Sequence, residues 1–191
     1  MLVAMRIIAG QYRSRVLEAP VGMATRPTSD RLRETLFNVL APRMEGCAFA
    51  DLYAGSGAVG LEALSRGAAR VVCVERAPAA LKALRGNLAR LGVQEGVRVE
   101  AVSVAAWLKR AQGGARFDVV FLDPPYDADQ EYERALGGLG DVAADLLAEG
   151  AVVIAEHRRK TKLADVYGML RRVRLLEQGD AALSFYEAAA R

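Results

Sequence analysis

The chain has 191 residues, of which 52% are hydrophobic, and its net charge at pH 7 is +3. One domain with one sizeable core fits this length, so the composition excludes a second catalytic domain. No apolar run approaches the roughly 20 residues that span a bilayer, and the chain begins without a hydrophobic signal segment, which predicts a cytoplasmic protein without a membrane partner.

A basic arm is predicted at the N-terminus. Residues 6–9 and 15–18 flank Gly10, and this pattern indicates a short hairpin. Residues 1–33 contain six arginines and only two acidic residues. Clustered positive charge of this kind is what a phosphate-binding surface requires.

The arm leads into a helix. Apolar residues recur at helical spacing between Leu32 and Leu40, so residues 30–40 should form an amphipathic helix that ends before Pro42. We expect residues 1–45 to form this arm and helix and to pack on residues 46–191, all within a single domain.

A strand, a glycine turn and a second helix follow. Residues 49–54 are typical of a strand, Gly55 and Gly57 lie in the turn, and residues 61–66 continue as a helix. Glycines let the backbone approach a ligand closely, and the N-terminus of the helix offers free N–H groups to an anionic group. Glu75 ends the next strand at the spacing from Gly55 that suits binding of ribose hydroxyls. The pattern therefore predicts a cofactor with an adenosine-like ribose.

Asp51 distinguishes between the two cofactors that suit such a turn, a dinucleotide and S-adenosylmethionine. Its carboxylate precedes the turn, where it would repel the pyrophosphate of a dinucleotide and attract a cation. S-adenosylmethionine carries a sulfonium and an ammonium, and its carboxylate could use the helix N-terminus. A dehydrogenase would also need an acid or base, and the only histidine, His157, lies in a basic, RNA-facing or solvated segment. The isolated Cys47 and Cys73 lack disulfide or zinc spacing, so we expect no metal.

Strands and helices alternate through the rest of the chain. We predict helices at residues 78–91, 104–111 and 130–147, and strands at residues 97–102, 117–123, 151–156, 173–176 and 183–186. Such alternation indicates an α/β fold whose mostly parallel sheet has helices on both faces.

The tetrapeptide Asp123-Pro124-Pro125-Tyr126 closes the apolar strand 117–122. Open α/β sheets bind ligands at this end of their strands. The Asp123 carboxylate and the Pro124 carbonyl can accept the two N–H bonds of an exocyclic amine, and Tyr126 can stack on the base that carries the amine. The motif therefore predicts a site for the amino group of a nucleobase.

The second basic cluster lies near the C-terminus. Residues 157–174 contain seven lysines and arginines and one acidic residue, so two basic ends flank an acidic body. Together with the amine-holding motif, this charge pattern predicts contact with nucleic acid.

Three parts of the chain resemble the motifs of class I S-adenosylmethionine-dependent amino-methyltransferases, namely Asp51 to Gly60, Glu75, and Asp123 to Tyr126. Residues 5–15 and 26–38 resemble more specifically the RsmD family, bacterial enzymes that methylate guanine N2 in small-subunit (16S) ribosomal RNA. The resemblance extends from Met5 to about Glu156. It implies a Rossmann-like sheet of seven strands with the last antiparallel, S-adenosyl-L-methionine as cofactor, and ribosomal RNA or a ribosomal assembly particle as partner. We expect a monomer.

The predicted site residues fall into three groups. The catalytic group is Asp123, Pro124, Pro125 and Tyr126. The cofactor-binding group is Asp51, Tyr53, Ala54, Gly55, Ser56, Gly57, Glu75, Arg76, Ser103 and Val104. The RNA-binding group is Arg6, Arg13, Arg15, Arg26, Arg31, Arg158, Arg159 and Lys160.

Two positions depart from the related enzymes. Ser103 stands where an acidic residue or Asn is common, so we expect the contact to the adenine amino group to be weaker or to be made by the backbone, and Tyr53 stands where Phe is commoner. Two alternatives stay open. One is the same chemistry on adenine N6 or cytosine N4 of DNA or RNA, and the other is a non-catalytic RNA-binding module, although intact motifs argue against lost catalysis.

Overall fold

The computed structural model describes residues 5–19, 30–110, 114, 116–125 and 129–189. The predictions for Arg26 and Tyr126 therefore lie outside the described residues. Within the described part are ten strands, five α-helices and a 3₁₀ turn at Ala41–Arg43. The strands are β1 Met5–Arg6, β2 Val16–Leu17, β3 Ala48–Leu52, β4 Arg70–Val74, β5 Val97–Glu100, β6 Phe117–Leu122, β7 Leu147–Arg158, β8 Val166–Tyr167, β9 Leu170–Gln178 and β10 Ala181–Ala188. The helices are α1 Asp30–Leu40, α2 Ala58–Ser65, α3 Pro78–Leu91, α4 Val104–Arg110 and α5 Asp129–Leu146.

Among the described residues, eight strands form one sheet in the order β5-β4-β3-β6-β7-β10-β9-β8. Strands β3 to β7 run parallel, and β10 runs antiparallel to both of its neighbours, β7 and β9. The predicted Rossmann-like α/β class and the antiparallel last strand are confirmed. The predicted count of seven strands is wrong, because β8 pairs with the start of β9. A strand of two residues is too short to show a period in the sequence.

The parallel strands β3, β4 and β6 at the centre of the sheet are buried on both faces, as a parallel sheet requires, whereas β9 is largely exposed. Helices α4 and α5 cover one face with a core that includes Trp107, Tyr132 and Leu136. Helices α1, α2 and α3 cover the other face, where Phe37 and Phe49 stack at 6.2 Å between ring centroids. No helix in the described ranges combines the length and apolar character needed to cross a membrane.

The two best-predicted helices end where the sequence indicates. Helix α1 spans the predicted residues 30–40, and its buried side chains include Leu32, Leu36 and Leu40. Helix α3 ends at Gly92, whose φ of +70° is left-handed and whose N–H donates to the Ala89 carbonyl. Glycine adopts this conformation without steric cost, which explains the sharp stop.

The N-terminal hairpin of β1 and β2 packs against α2 and is held there by Glu62. The Glu62 carboxylate is fully buried and accepts hydrogen bonds from the Ile8 N–H at 2.7 Å and the Ala9 N–H at 3.0 Å. Arg66 donates to it at 2.7 Å, and the Arg33 Nε lies 3.8 Å away. The arm is therefore packed against the rest of the domain by specific hydrogen bonds and ion pairs.

Gly10 makes the closest contact between the arm and α2. Its φ is +82°, and a Cβ at this position would overlap the Ser65 carbonyl. The Gln11 N–H donates to that carbonyl at 2.7 Å, and the Tyr12 N–H donates to the Ser65 hydroxyl at 2.9 Å. The hairpin turn thus binds the last residue of α2.

The order of the parallel strands fixes where a ligand can bind. From β3 the chain moves outward to β4 and β5, and it then returns to the other side of β3 as β6 and β7. The order therefore reverses between β3 and β6, and open α/β sheets bind ligands at the carboxyl ends of the strands beside such a reversal. Tyr53 and Asp123 are the residues that follow β3 and β6.

Candidate active site

The backbone after β3 turns sharply. Tyr53, Gly55 and Gly57 all have positive φ angles, of +65°, +57° and +82°. A Cβ at Gly57 would overlap the side chain of Leu84, whereas a Cβ at Gly55 would meet nothing within 4 Å. The left-handed φ of Gly57 favours glycine, and any Cβ there would also have to displace the Leu84 methyl group, whereas Gly55 faces open space where a ligand can approach the backbone.

Glu75, at the end of β4, supports this turn. One carboxylate oxygen accepts a hydrogen bond from the Gly55 N–H at 2.9 Å. The other accepts from the N–H groups of Arg76 at 2.7 Å and Ala77 at 2.8 Å. A carboxylate has about four lone-pair positions, so these three bonds leave room for a ribose hydroxyl.

Asp51 lies beneath the turn and is only 1% exposed. Its carboxylate accepts the Gly60 N–H at 2.8 Å, which satisfies one of the free donors in the first turn of α2. Burial raises the pKa of Asp51 to about 7, the Gly60 hydrogen bond opposes this rise, and the negative charge of Glu75 adds to it. A bound cation would lower this pKa again because it favours the ionised carboxylate.

Asp123 follows β6, and its N–H donates to the Leu52 carbonyl at 3.4 Å. The strand is thereby held beside β3. Pro124 is buried and Pro125 is exposed. Burial raises the pKa of Asp123 well above its ordinary value, and the nearby charges of Glu156 and Asp51 raise it further. The acidic groups of three neighbouring strands therefore meet at this edge.

The register of β6 and β7 explains the position of Glu156. Leu122 pairs with Ala155, so Asp123 and Glu156 are the next residues on the two strands. Glu156 is 1% exposed. Its contribution to the site was not predicted from the sequence, since the register between two strands separated by α5 is not visible there.

Tyr53 connects the turn to α5. Its hydroxyl donates to the Glu131 carboxylate at 3.0 Å. Helix α5 begins shortly after the Asp123-Pro124-Pro125 segment, so this bond fixes the start of α5 relative to the end of β3. The hydroxyl that distinguishes Tyr53 from Phe therefore has a partner.

The other predicted cofactor residues lie in the turn, after β4 and at the start of α4. Ala54, Ser56 and Val104 are buried, and Arg76 is exposed. The Ser103 hydroxyl accepts the Ala106 N–H at 3.2 Å and so caps the start of α4.

A further residue of this region, Asn87, was not predicted. It is fully buried on α3, and its amide donates to the carbonyls of Ser56 and Glu18, both at 3.0 Å. It also accepts the Glu18 N–H at 2.8 Å. Asn87 thereby joins the glycine turn to the end of the arm. The sequence offered one indication of this role, because Asn87 is a polar residue on the buried face of the predicted helix 78–91.

The described basic residues of the predicted RNA-binding group lie mostly at the surface. Arg6, Arg13, Arg15, Arg31, Arg159 and Lys160 are exposed, and Arg158 is half-buried. Two side chains that the sequence places in the basic segments are buried rather than exposed. Arg33, counted with the basic arm, is fully buried and donates to the Arg6 carbonyl and to Asp30.

His157 is the second exception. The interpretation of His157 as a solvated or RNA-facing residue is wrong, because it is 2% exposed. Its Nε2 and the Ser184 Oγ are 2.9 Å apart, and its ring contacts Tyr132 edge-on. Burial lowers the pKa of His157, as expected for an imidazole kept neutral in a core.

Comparison with known proteins gives a consistent result. The family model described as "Conserved hypothetical protein 95" matches residues 5–187. The Bacillus subtilis protein named "Putative rRNA methyltransferase YlbH" is 34% identical over 189 residues, which cover 96% of this chain and 98% of that protein. Ribosomal RNA small subunit methyltransferase D of Escherichia coli is 46% identical over 121 residues, which span 63% of this chain and 60% of the relative. The solved structure of Escherichia coli yhhF is 35% identical, covers 99% of this chain and 100% of its own, and superposes with a TM-score of 0.83.

Proposed function

Since the chain belongs to the family described as Conserved hypothetical protein 95, the family that the RsmD resemblance indicates, we propose that it methylates the N2 amine of a guanine in small-subunit ribosomal RNA. The methyl donor is S-adenosylmethionine. One observation carries this proposal. The glycine turn after β3 and the Asp123-Pro124 segment after β6 lie on neighbouring strands, where the strand order of the sheet reverses.

The residues present fit this cofactor. Gly55 leaves open space above the turn, Glu75 retains a lone pair for a ribose hydroxyl, and α2 begins at Gly57 without a side-chain cap. The start of α2 suits the carboxylate of the cofactor. The Asp51 carboxylate suits the positive charge of this cofactor, whereas it would repel a pyrophosphate.

S-adenosylmethionine supplies a methyl group that its cationic sulfonium already activates. The protein must therefore mainly position the amine. The Asp123 carboxylate and the Pro124 carbonyl accept the two N–H bonds of that amine, which favours a more pyramidal nitrogen whose lone pair is available to attack the methyl group. After transfer the nitrogen carries an extra proton, which Asp123 or water accepts. When Asp123 is ionised, its raised pKa makes its carboxylate a stronger base than water and therefore the better proton acceptor.

The substrate side of the proposal rests on charge. The guanine must leave its stack to reach Asp123, at a cost of a few kcal/mol. Phosphate contacts by the exposed arginines of the arm and by the basic residues after β7 would offset this cost. We also propose that residues 1–45 serve RNA docking and residues 46–191 serve cofactor binding and catalysis, in one domain.

The first prediction concerns cofactor affinity. Replacing Glu75 with glutamine removes the charge and places an N–H₂ group against backbone N–H donors, so binding of S-adenosylmethionine should weaken by about 1–3 kcal/mol. Calorimetry on this variant and on Glu95→Gln, which changes an exposed residue, would measure the difference. Tight binding of a nicotinamide dinucleotide without binding of S-adenosylmethionine would contradict the assignment.

The second prediction concerns pH. Because the pKa of Asp51 is raised to about 7, the carboxylate is partly protonated at neutral pH and becomes fully ionised above it. A sulfonium binds better to the ionised form, so affinity for S-adenosylmethionine should rise as pH increases through 7. If binding lowers this pKa by one unit, the rise approaches about tenfold.

S-adenosylhomocysteine is the matched ligand for this prediction, since it lacks only the methyl group and the sulfonium charge. The ratio of the two affinities cancels the titration of groups that both ligands share. The ratio should increase between pH 6 and pH 8 in the wild type and stay flat in Asp51→Asn. A flat ratio in the wild type would show that Asp51 does not sense the sulfonium.

Incubation with labelled S-adenosylmethionine tests the proposal as a whole. Small-subunit ribosomal RNA and small-subunit assembly particles should be compared as substrates, with large-subunit RNA as the control. Label should enter the small-subunit RNA in at least one of the two forms. Equal labelling of large-subunit RNA, or none in any sample, would contradict the proposal.

A further inference from the structure

A groove lies between the start of α5 and the segment that follows β7. Its volume is about 510 Å³, which is within the range of ligand-binding clefts. Its lining residues are Gln130, Glu133, Lys160, Thr161, Lys162 and Leu163.

Both walls of the groove start from the candidate active site. Helix α5 follows the Asp123-Pro124-Pro125 segment, and Lys160 follows β7 shortly after Glu156. Since β6 and β7 are parallel neighbours, both walls begin at the carboxyl-terminal edge of the sheet, which is also where Asp123 lies.

The wall formed by residues 159–165 is held in place by its own hydrogen bonds. The Thr161 N–H donates to the Arg158 carbonyl at 2.9 Å, and the Ala164 N–H donates to the Tyr167 hydroxyl at 3.0 Å. The Tyr186 hydroxyl donates to the Ala164 carbonyl at 2.9 Å. A wall fixed in this way loses little conformational entropy when a ligand binds.

Two lysines provide the positive charge. Lys160 and Lys162 are exposed, and neither forms an ion pair with another described residue. The neighbouring Arg159, by contrast, pairs with Glu177 at 3.3 Å. Glu133 is the acidic residue of the groove, and its carboxylate accepts the Tyr167 hydroxyl at 2.9 Å.

We propose that this groove binds phosphates of the RNA strand that carries the target nucleotide. The proposal rests on the proposed function, because it uses the position of the target base at Asp123. Two ammonium groups without an ion-pair partner among the described residues, together with the Thr161 hydroxyl, suit phosphate oxygens. The target nucleotide itself is unpaired at this point, since its base must leave its stack.

The test replaces both lysines with alanine and uses Lys109→Ala/Arg110→Ala as the matched control. The control removes two exposed charges from the last turn of α4, which is outside the groove. Direct binding of small-subunit ribosomal RNA is measured at several salt concentrations, together with single-turnover methylation. The slope of log K against log salt should flatten by about 1.4 in Lys160→Ala/Lys162→Ala, at about 0.7 for each lost phosphate contact.

The half-saturating RNA concentration should rise in the groove variant, whereas its affinity for the cofactor should match that of the control. Lys160→Arg/Lys162→Arg should restore the slope. A slope equal to that of the control overturns the groove proposal even if the wild type methylates the RNA. Normal RNA binding without methyl transfer by the wild type would instead overturn the proposed function, and a wild type that does not bind RNA would overturn both.

Discussion

Replacing Asp123 with alanine should lower the single-turnover rate of methyl transfer on the order of 10²-fold, the loss typical when one aligned hydrogen-bonding group is removed from a transition state. The carboxylate holds the amine as it is aligned for attack and then accepts its proton. Because this interaction strengthens in the transition state, S-adenosylmethionine affinity should change far less than the rate.

Asp123→Asn provides the informative comparison. Asparagine retains one acceptor oxygen and the shape of the side chain, but it cannot accept the proton, so its rate should lie between those of the wild type and the alanine variant. Asp141→Ala, on the exposed surface of α5, is the control. A rate near that of the wild type in Asp123→Ala, at saturating cofactor and RNA, would mean that the amine is held elsewhere.

The largest expected effect on stability is at Glu62. Glu62→Gln removes a fully buried negative charge beside Arg33 and Arg66 and disturbs the bonds to Ile8 and Ala9. Loss of one partner from a buried ion pair leaves the other charge poorly compensated, which costs about 3–5 kcal/mol. Urea unfolding should show this decrease in the free energy of unfolding.

Arg33 permits a stricter version of the same experiment. In Arg33→Met the cation is absent, so adding Glu62→Gln should cost clearly less than it costs in the wild type. Asp30 also contacts Arg33, and it is unchanged in all four proteins of this cycle. Glu95→Gln should leave the free energy of unfolding within about 0.5 kcal/mol of the wild type. Additive effects of the Glu62 and Arg33 changes would contradict an energetic coupling between these two side chains.

Local sequence patterns were sufficient for much of the fold. The spacing of leucines predicted the bounds of α1, and Gly92 predicted the end of α3. The glycine turn was visible because Gly55, Gly57 and Glu75 occur at a spacing that the turn itself requires. The hairpin around Gly10 was also predicted from a local pattern, since two short segments flank this glycine.

Contacts between distant residues were not predictable in this way. Arg33 and His157 each stand beside other basic residues in the sequence, which suggested an exposed surface, but their partners lie on other elements. The binding of Ile8 to Glu62 joins residues 54 positions apart. Asn87 and Glu156 reach the candidate site only through helix packing and strand register.

The central claim is that Asp123 and Pro124 hold the N2 amine of guanine in small-subunit ribosomal RNA. The most direct measurement is complete digestion of small-subunit RNA labelled by the protein from S-adenosylmethionine, followed by chromatographic identification of the labelled nucleoside. We expect the label in N2-methylguanosine, and its amount should fall with the Asp123→Ala variant. Label in N6-methyladenosine or N4-methylcytidine would contradict the assignment of guanine, and an RNA that binds but stays unlabelled would identify the protein as a non-catalytic binding module.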